Sequence, residues 1–257
     1  MMRMAGLLEV CADSVCSAVN AARGGADRIE LCSALPLGGT SPDEDLFRMV
    51  RERVSVPVRV LLRPRAGDFL YDEDEFELLC RQASRFAGLG ADGIVIGMLN
   101  PDGTLDTERM SALMACGDGC GVTLHRAFDV CRDAHEALRT AKKLGVDTIL
   151  TSGQQARCAD GALLLRELVS ESGEGLRILI GGGVNADVIR ALAPQTGADA
   201  FHLSAKAAVP SGMEFRRENV PMGIPGLNEF ELLRCDAASV RAAREALDAV
   251  CTARKEN

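Results

Sequence analysis

Positive charge is the minority in this chain: 29 Lys and Arg stand against 37 Asp and Glu, a formal balance of −8. Surfaces that recognise a phosphate backbone are usually basic, so nucleic acid is not an expected partner. Long apolar runs are also missing, and no stretch reaches the length a bilayer demands. At the start, MMRMAGLLEVCAD meets Asp13 before the apolar core of an export signal can form. These absences predict a soluble, cytoplasmic protein without a membrane partner. No GxGxxG follows the first predicted strand, which removes the main reason to expect an open dinucleotide-binding sheet.

Cysteine, by contrast, is plentiful, with ten residues. Without an export signal the thiols are expected to stay reduced, either as small core groups or as metal ligands. Cys16, Cys80 and Cys251 fall in predicted helices and read as packing residues. Cys116 and Cys120, in ACGDGCG, have ligand-like spacing but no second pair nearby.

A length of 257 residues suits one large α/β domain. The strongest pattern is a recurring tag: GADRIE at Gly25, GADGIV at Gly90, GVDTIL at Gly145 and GADAFH at Gly197. In each copy a glycine ends a helix and a strand begins at once. Intervening strands fall at Val56–Arg63, Gly121–Asp129 and Arg177–Val184, after a first at Leu8–Cys11. Helices between them carry caps at Asp13, Ser41-Pro42, Asp72, Asp133 and Asn185. Eight strands alternating with helices predict a single-domain (β/α)8 TIM-type barrel spanning 1–257. Residues 207–236, with three prolines and weak periodicity, are expected to be a long loop or an oligomer contact, since Phe215, Met222, Ile224 and Phe230 need burial.

Alternation along each strand separates two faces. Leu8 and Val10 oppose Glu9 and Cys11; Ile29 and Leu31 oppose Glu30 and Cys32. Arg59, Leu61, Arg63 and Arg65 share one face of the third strand, Thr123 and His125 one face of the fifth, and His202, Ser204 and Lys206 one face of the eighth. With helices covering the aliphatic faces, the polar ones must point into the barrel. Glu30 is expected to meet Arg59 or Arg63, and Glu9 to meet Lys206 or His202. One reading is a satisfied ion-pair network. The other is a site built from Glu30, Arg63, His125 and Lys206, because charge enclosed without a partner is costly. Gly181, Gly182 and Gly183, before a helix, are candidates for an anion cradle or simply a left-handed turn. Cys11 and Cys32 lie on adjacent strands and are either two core thiols or a soft two-thiolate site suited to Cu(I), provided barrel shear does not stagger them.

The motifs LEVCADS, GGADRIELCS, LPLGGTSPD, VRVLLRPRAGDFLY, GADGIVIGMLNPDGTLD, VTLHRAFDV, ILTSGQ, ILIGGGVN and FHLSAKA together resemble the copper homeostasis protein CutC family, from Leu7 to about Pro210. The resemblance implies a TIM-type barrel, a cytoplasmic homo-oligomer (dimer or larger) and a role in copper handling. It makes Cys11 and Cys32 the Cu(I) ligands; Met98 or His202 would be extra donors in a copper site, on donor chemistry and not on the resemblance. It carries no reaction. The alternative is a barrel enzyme of lyase, isomerase or hydrolase type acting on a small phosphorylated or carboxylated metabolite. There Gly181–Gly183 would hold the anion, Arg63 and Lys206 would balance its charge, and Glu30 or His125 would act as acid or base.

Overall fold

The structure, a computed structural model, describes residues 6–217, 220, 223–224 and 228–256. It is a closed parallel barrel of β1 (Leu7–Ala12), β2 (Arg28–Leu31), β3 (Val58–Leu61), β4 (Gly93–Ile96), β5 (Gly121–Leu124), β6 (Thr148–Thr151), β7 (Arg177–Ile180) and β8 (Ala200–Leu203). Between them run α1 (Val15–Arg23), α2 (Glu44–Arg51), α3 (Glu73–Gly88), α4 (Thr107–Cys116), α5 (Ala134–Leu144), α6 (Ala162–Ser172) and α7 (Ala186–Thr196). A (β/α)8 barrel is therefore what the alternation of sequence patterns builds. Among the described residues no helix is long and apolar enough to cross a membrane.

The caps follow local chemistry. Asp72 forms a full capping box with Glu75, and Asp133 and Asn185 accept from backbone N–H groups three residues on. Ser14 rather than Asp13 caps α1, and Asp43 rather than Ser41-Pro42 caps α2. In both corrections a second oxygen-bearing side chain stands closer to the first helical turn. Gly145 and Gly197 end α5 and α7 at φ of 84° and 78°, a conformation that disfavours any side chain.

Alternation sorts the strands into two layers. Leu8, Val10, Ile29, Leu31, Val58 and Val60 are fully buried in the layer beneath the helices. Inside the barrel, two small apolar clusters, Cys32–Leu61–Val95 and Leu150–Leu179–Ala200, flank a polar centre.

The recurring tag has a physical role at the base. Asp27 accepts from the Leu8 N–H at 2.7 Å, Asp92 from Val58 N–H at 2.8 Å and Asp147 from Val122 N–H at 2.7 Å. A carboxylate below β2, β4 and β6 thus ties down an N–H near the start of the odd strand before it.

The 207–236 stretch is only partly a loop. Its ends pair as an antiparallel ribbon, β9 (Lys206–Pro210) with β10 (Glu231–Cys235), before the last helix, α8 (Ala237–Glu256). Phe215 and Ile224 are exposed in the single chain and Phe230 is half-buried; Met222 lies outside the described residues.

Candidate functional site

The polar centre lies at the seam where β8 closes on β1. Ladder pairing places Glu9 opposite both Arg28 of β2 and His202 of β8, and places Cys11 opposite Glu30. Glu9, with no exposure at all, divides its oxygens between them: Arg28 Nε donates to Oε2 at 2.5 Å, and His202 Nδ1 stands 2.7 Å from Oε1. The Glu30 carboxylate joins this group, so that one ligand atom each of Glu9, Glu30 and His202 lies within 4.8 Å of the others. Glu30 Oε2 and Arg28 Nη2 are buried without hydrogen-bond partners.

The electrostatics divide the two carboxylates. Burial opposes ionisation of Glu9, but the Arg28 guanidinium and the His202 contacts outweigh it and hold the carboxyl down at about 2. Glu30 has no such pair: burial pushes it up to about 7, with the His202 cation lowering it and the Glu9 carboxylate raising it. Burial also opposes the charged form of His202. The negative charges of Cys11 and Glu30, together with the hydrogen bond to Glu9, overcome this and raise the imidazole well above its usual value. One carboxylate is thus ionised at neutral pH, while the other is poised near neutrality beside an imidazole whose charged form is favoured.

The two thiols are staggered. Cys11 faces Glu30, so Cys32, just past the end of β2, lies one inward-facing step further on. Cys11 Sγ contacts the Leu203 carbonyl at 3.7 Å and Cys32 Sγ the Ala12 carbonyl at 3.6 Å. Burial, and then the charge of Cys11, push the Cys32 thiol far above its ordinary range. An offset of two residues on adjacent strands separates the Cα atoms by about 8 Å, from the usual strand spacing and rise. That exceeds the span a disulfide bridges, about 7 Å. Both thiols are free, as are the other eight cysteines.

The remaining expected site residues occupy different places. Glu30 stands opposite Arg59 in the ladder, but Arg59 reaches across the base to Asp147 (2.7 and 3.0 Å) and Thr123 (2.7 Å). Arg63 is tied to loop carbonyls, Gly39 and Gly67 each at 2.9 Å, and its guanidinium lies 5.2 Å from the Phe69 ring centre. His125 stacks on the same Phe69 at 4.9 Å. Its Nδ1 accepts from the Ala127 N–H at 3.1 Å, so Nε2 carries the proton, without a partner. Burial, then Arg63, push this imidazole down to about 3. Lys206 is exposed at the start of the ribbon, and Met98 is buried in the layer beneath the helices.

Gly182 and Gly183 have φ of 95° and 86°. A Cβ on Gly182 would stand 3.0 Å from Ser152 Cβ and 3.7 Å from Arg126 Cζ, so close approach as well as conformation requires glycine there.

Three functional or structural partners escaped the sequence reading. Arg28 was visible in principle, because it precedes Glu30 and Cys32 at the same two-residue period. Asp147 belongs to the recurring tag. Asp129 accepts from Thr151, Ser152, Gln154 and Arg126 and organises the loops beyond β5 and β6; it had no distinguishing signal.

Residues 6–207 match the model of the CutC family. A "family protein CutC" from Chromobacterium violaceum is 40% identical over 242 residues, covering 94% of this chain and 98% of that one. The human "copper homeostasis protein cutC homolog" is 43% identical over 237 residues, covering 91% and 86%. The crystal structure of CutC from Streptococcus agalactiae superposes with a TM-score of 0.73 at 27% identity, covering 77% of this chain and 98% of that one. Motifs, barrel and near full-length likeness agree: the chain belongs to the CutC family.

Proposed function

We propose that this chain is a cytoplasmic copper-handling protein that holds Cu(I) through Cys11 and Cys32. The observation that carries the reading is the thiol pair itself. Two reduced cysteines face inward on adjacent strands near the barrel mouth, with no partner better than a carbonyl, and too far apart to close on each other. Soft thiolates with few competing ligands suit Cu(I). The name of the human relative supports the same direction. Titration with Cu(I) under reducing, anaerobic conditions against a chromophoric Cu(I) chelator is expected to give one equivalent per chain. The Cys11→Ser, Cys32→Ser double variant is expected to lose it; an unchanged stoichiometry would sink the reading.

The protein is further proposed to be a homo-oligomer, with contacts on the segment 207–236. Val209, Leu232, Met213 and Phe215 expose large apolar side chains there. Light scattering after gel filtration tests this, and a monomer at micromolar concentration counts against it.

A second reading, an enzyme for a small phosphorylated or carboxylated metabolite, is favoured by one observation. The Arg126 guanidinium stands beside Gly182, at the end of the barrel where such folds hold anions. Glu30 would be the acid or base, and Gly181–Gly183 with Arg126 the anion cradle. Protection of the native protein against thermal unfolding by inorganic phosphate, lost in Arg126→Ala, is the expected result.

A further inference from the structure

The thiol pair leaves a second set of donors unassigned. Glu9, Glu30 and His202 come from β1, β2 and β8, which are consecutive around the closed barrel, so ladder pairing rather than loop conformation fixes their separations. Their ligand atoms lie within 4.8 Å of one another. Glu30 is only 6% exposed, and its Oε2 has no hydrogen-bond partner, which marks an acceptor left for something other than the protein. Glu9 is already oriented, because Arg28 Nε holds the oxygen that does not face His202. That is the supporting contact a ligating carboxylate usually has. Cys11 faces Glu30 across the ladder and its charge acts on the His202 imidazole, which puts a sulfur beside the group.

We propose that Glu9, Glu30 and His202, with Cys11 as the fourth donor, form a binding site for a borderline divalent cation of the zinc class. The inference goes beyond the copper reading and shares only Cys11 with it.

Donor chemistry and charge both favour a divalent ion. One imidazole nitrogen, two carboxylates and one thiolate are the N, O and S ligands that zinc accepts in tetrahedral sites, whereas carboxylates are poor donors to soft Cu(I). In the loaded form the ionised Glu9, Glu30 and Cys11 carry three negative charges and Arg28 one positive. A divalent ion therefore leaves the enclosed group neutral. A monovalent ion would strand a net negative charge where burial makes it expensive. His202 keeps 11% of its side chain exposed and Cys11 6%, so the set is reached from the mouth.

The test uses the full-length protein under reducing conditions, with Zn2+ in equilibrium dialysis and Co2+ as an optical probe. One Co2+ per chain is expected, with tetrahedral visible bands and a thiolate charge-transfer band in the near ultraviolet. Cys11→Ser removes the charge-transfer band. Glu30→Gln and His202→Gln each weaken Zn2+ by at least the roughly 10- to 100-fold that loss of a supporting contact costs. Cys32→Ser leaves Zn2+ affinity unchanged while abolishing Cu(I); Glu30→Gln does the reverse.

Glu30→Gln is isosteric and removes an unpartnered carboxylate, so it is expected to fold even if His202→Gln does not, and a thermal melt verifies this. The proposal is overturned if Glu30→Gln retains wild-type Zn2+ affinity, or if Cobalt(II) shows only the weak spectrum of the hydrated ion. Loss of both metals in Cys32→Ser would likewise overturn it, since the thiol pair would then be taking both. Absence of Cu(I) binding alongside intact Zn2+ binding would remove the copper reading alone.

Discussion

The barrel interior holds two arginine–carboxylate pairs, Arg59–Asp147 and Arg28–Glu9, and they are built differently. At the base, Arg59 meets Asp147 through two nitrogens and donates to Thr123 as well. It lies flat over Gly93 and Gly121, where a Cβ would stand 2.8 Å from its Cγ and 2.5 Å from its Nη2. At the seam, Arg28 and Glu9 pair just as closely, yet Arg28 Nη2 and the neighbouring Glu30 Oε2 have nothing to bond. Buried polar groups are normally satisfied because leaving one unpaired costs about 1–3 kcal/mol. The base has reached that state and the seam has not.

The sharpest way to break this comparison is at the base. Asp147→Ala strands the Arg59 guanidinium, and because Asp147 is itself 38% exposed the cost stays below the about 3–5 kcal/mol of a fully enclosed ion pair. Denaturant unfolding should show that loss with metal binding unchanged; a small effect would mean the base is not the stabilising end.

Next comes Glu30→Gln. A carboxyl raised from an ordinary 4.5 to about 7 favours the folded state below pH 4.5, and that contribution disappears as pH rises through 7. The variant should therefore match the wild type near pH 4.5 and exceed it by about 3 kcal/mol at pH 8. A difference independent of pH would remove Glu30 from the poised role. Glu9 gives the opposite limb: held at about 2, it supports the fold above pH 4.5 and is lost as pH falls toward 2.

Gly121→Ala is expected to cost about 1–3 kcal/mol by overpacking, because Arg59 has no room to yield without leaving Asp147. Thermal melts of Gly121→Ala in wild-type and Arg59→Ala backgrounds separate overpacking from backbone effects: only the former disappears when Arg59 is truncated. The smallest effect belongs to the seam. Cys11→Ser should change stability by no more than about 1 kcal/mol, since the thiol makes one long contact to a carbonyl. Isothermal denaturation checks it, and a larger loss would make Cys11 a packing residue first.

Much of this was legible from pattern. The period of two separated Leu8 and Val10 from Glu9 and Cys11, and the same rule ran through β2, β3, β5 and β8, because a pleated strand offers only two faces. The tag marked every even strand. What pattern could not supply was pairing across the barrel. Arg59 was expected near Glu30, its ladder neighbour, yet an arginine is long enough to lie across two glycines and reach Asp147 on the far side. Arg28 shares the parity of Glu30 but opens β2 beside the loop, where alternation alone does not say whether a side chain turns inward. The stagger of Cys11 and Cys32 depends on register, which no single strand encodes.

The seam also bears on how the molecule comes together. Glu9 and His202 are 193 residues apart in sequence, and they meet only when the last strand docks on the first. Every other ladder in the barrel joins neighbours along the chain, so the donor set forms at the step that closes the ring. A ligand held there would act as a latch, favouring the closed barrel by mass action, about 2.7 kcal/mol at a hundred times its dissociation constant. The same ion would serve as a clock, since its capture during refolding would time ring closure apart from the formation of the individual strand–helix units.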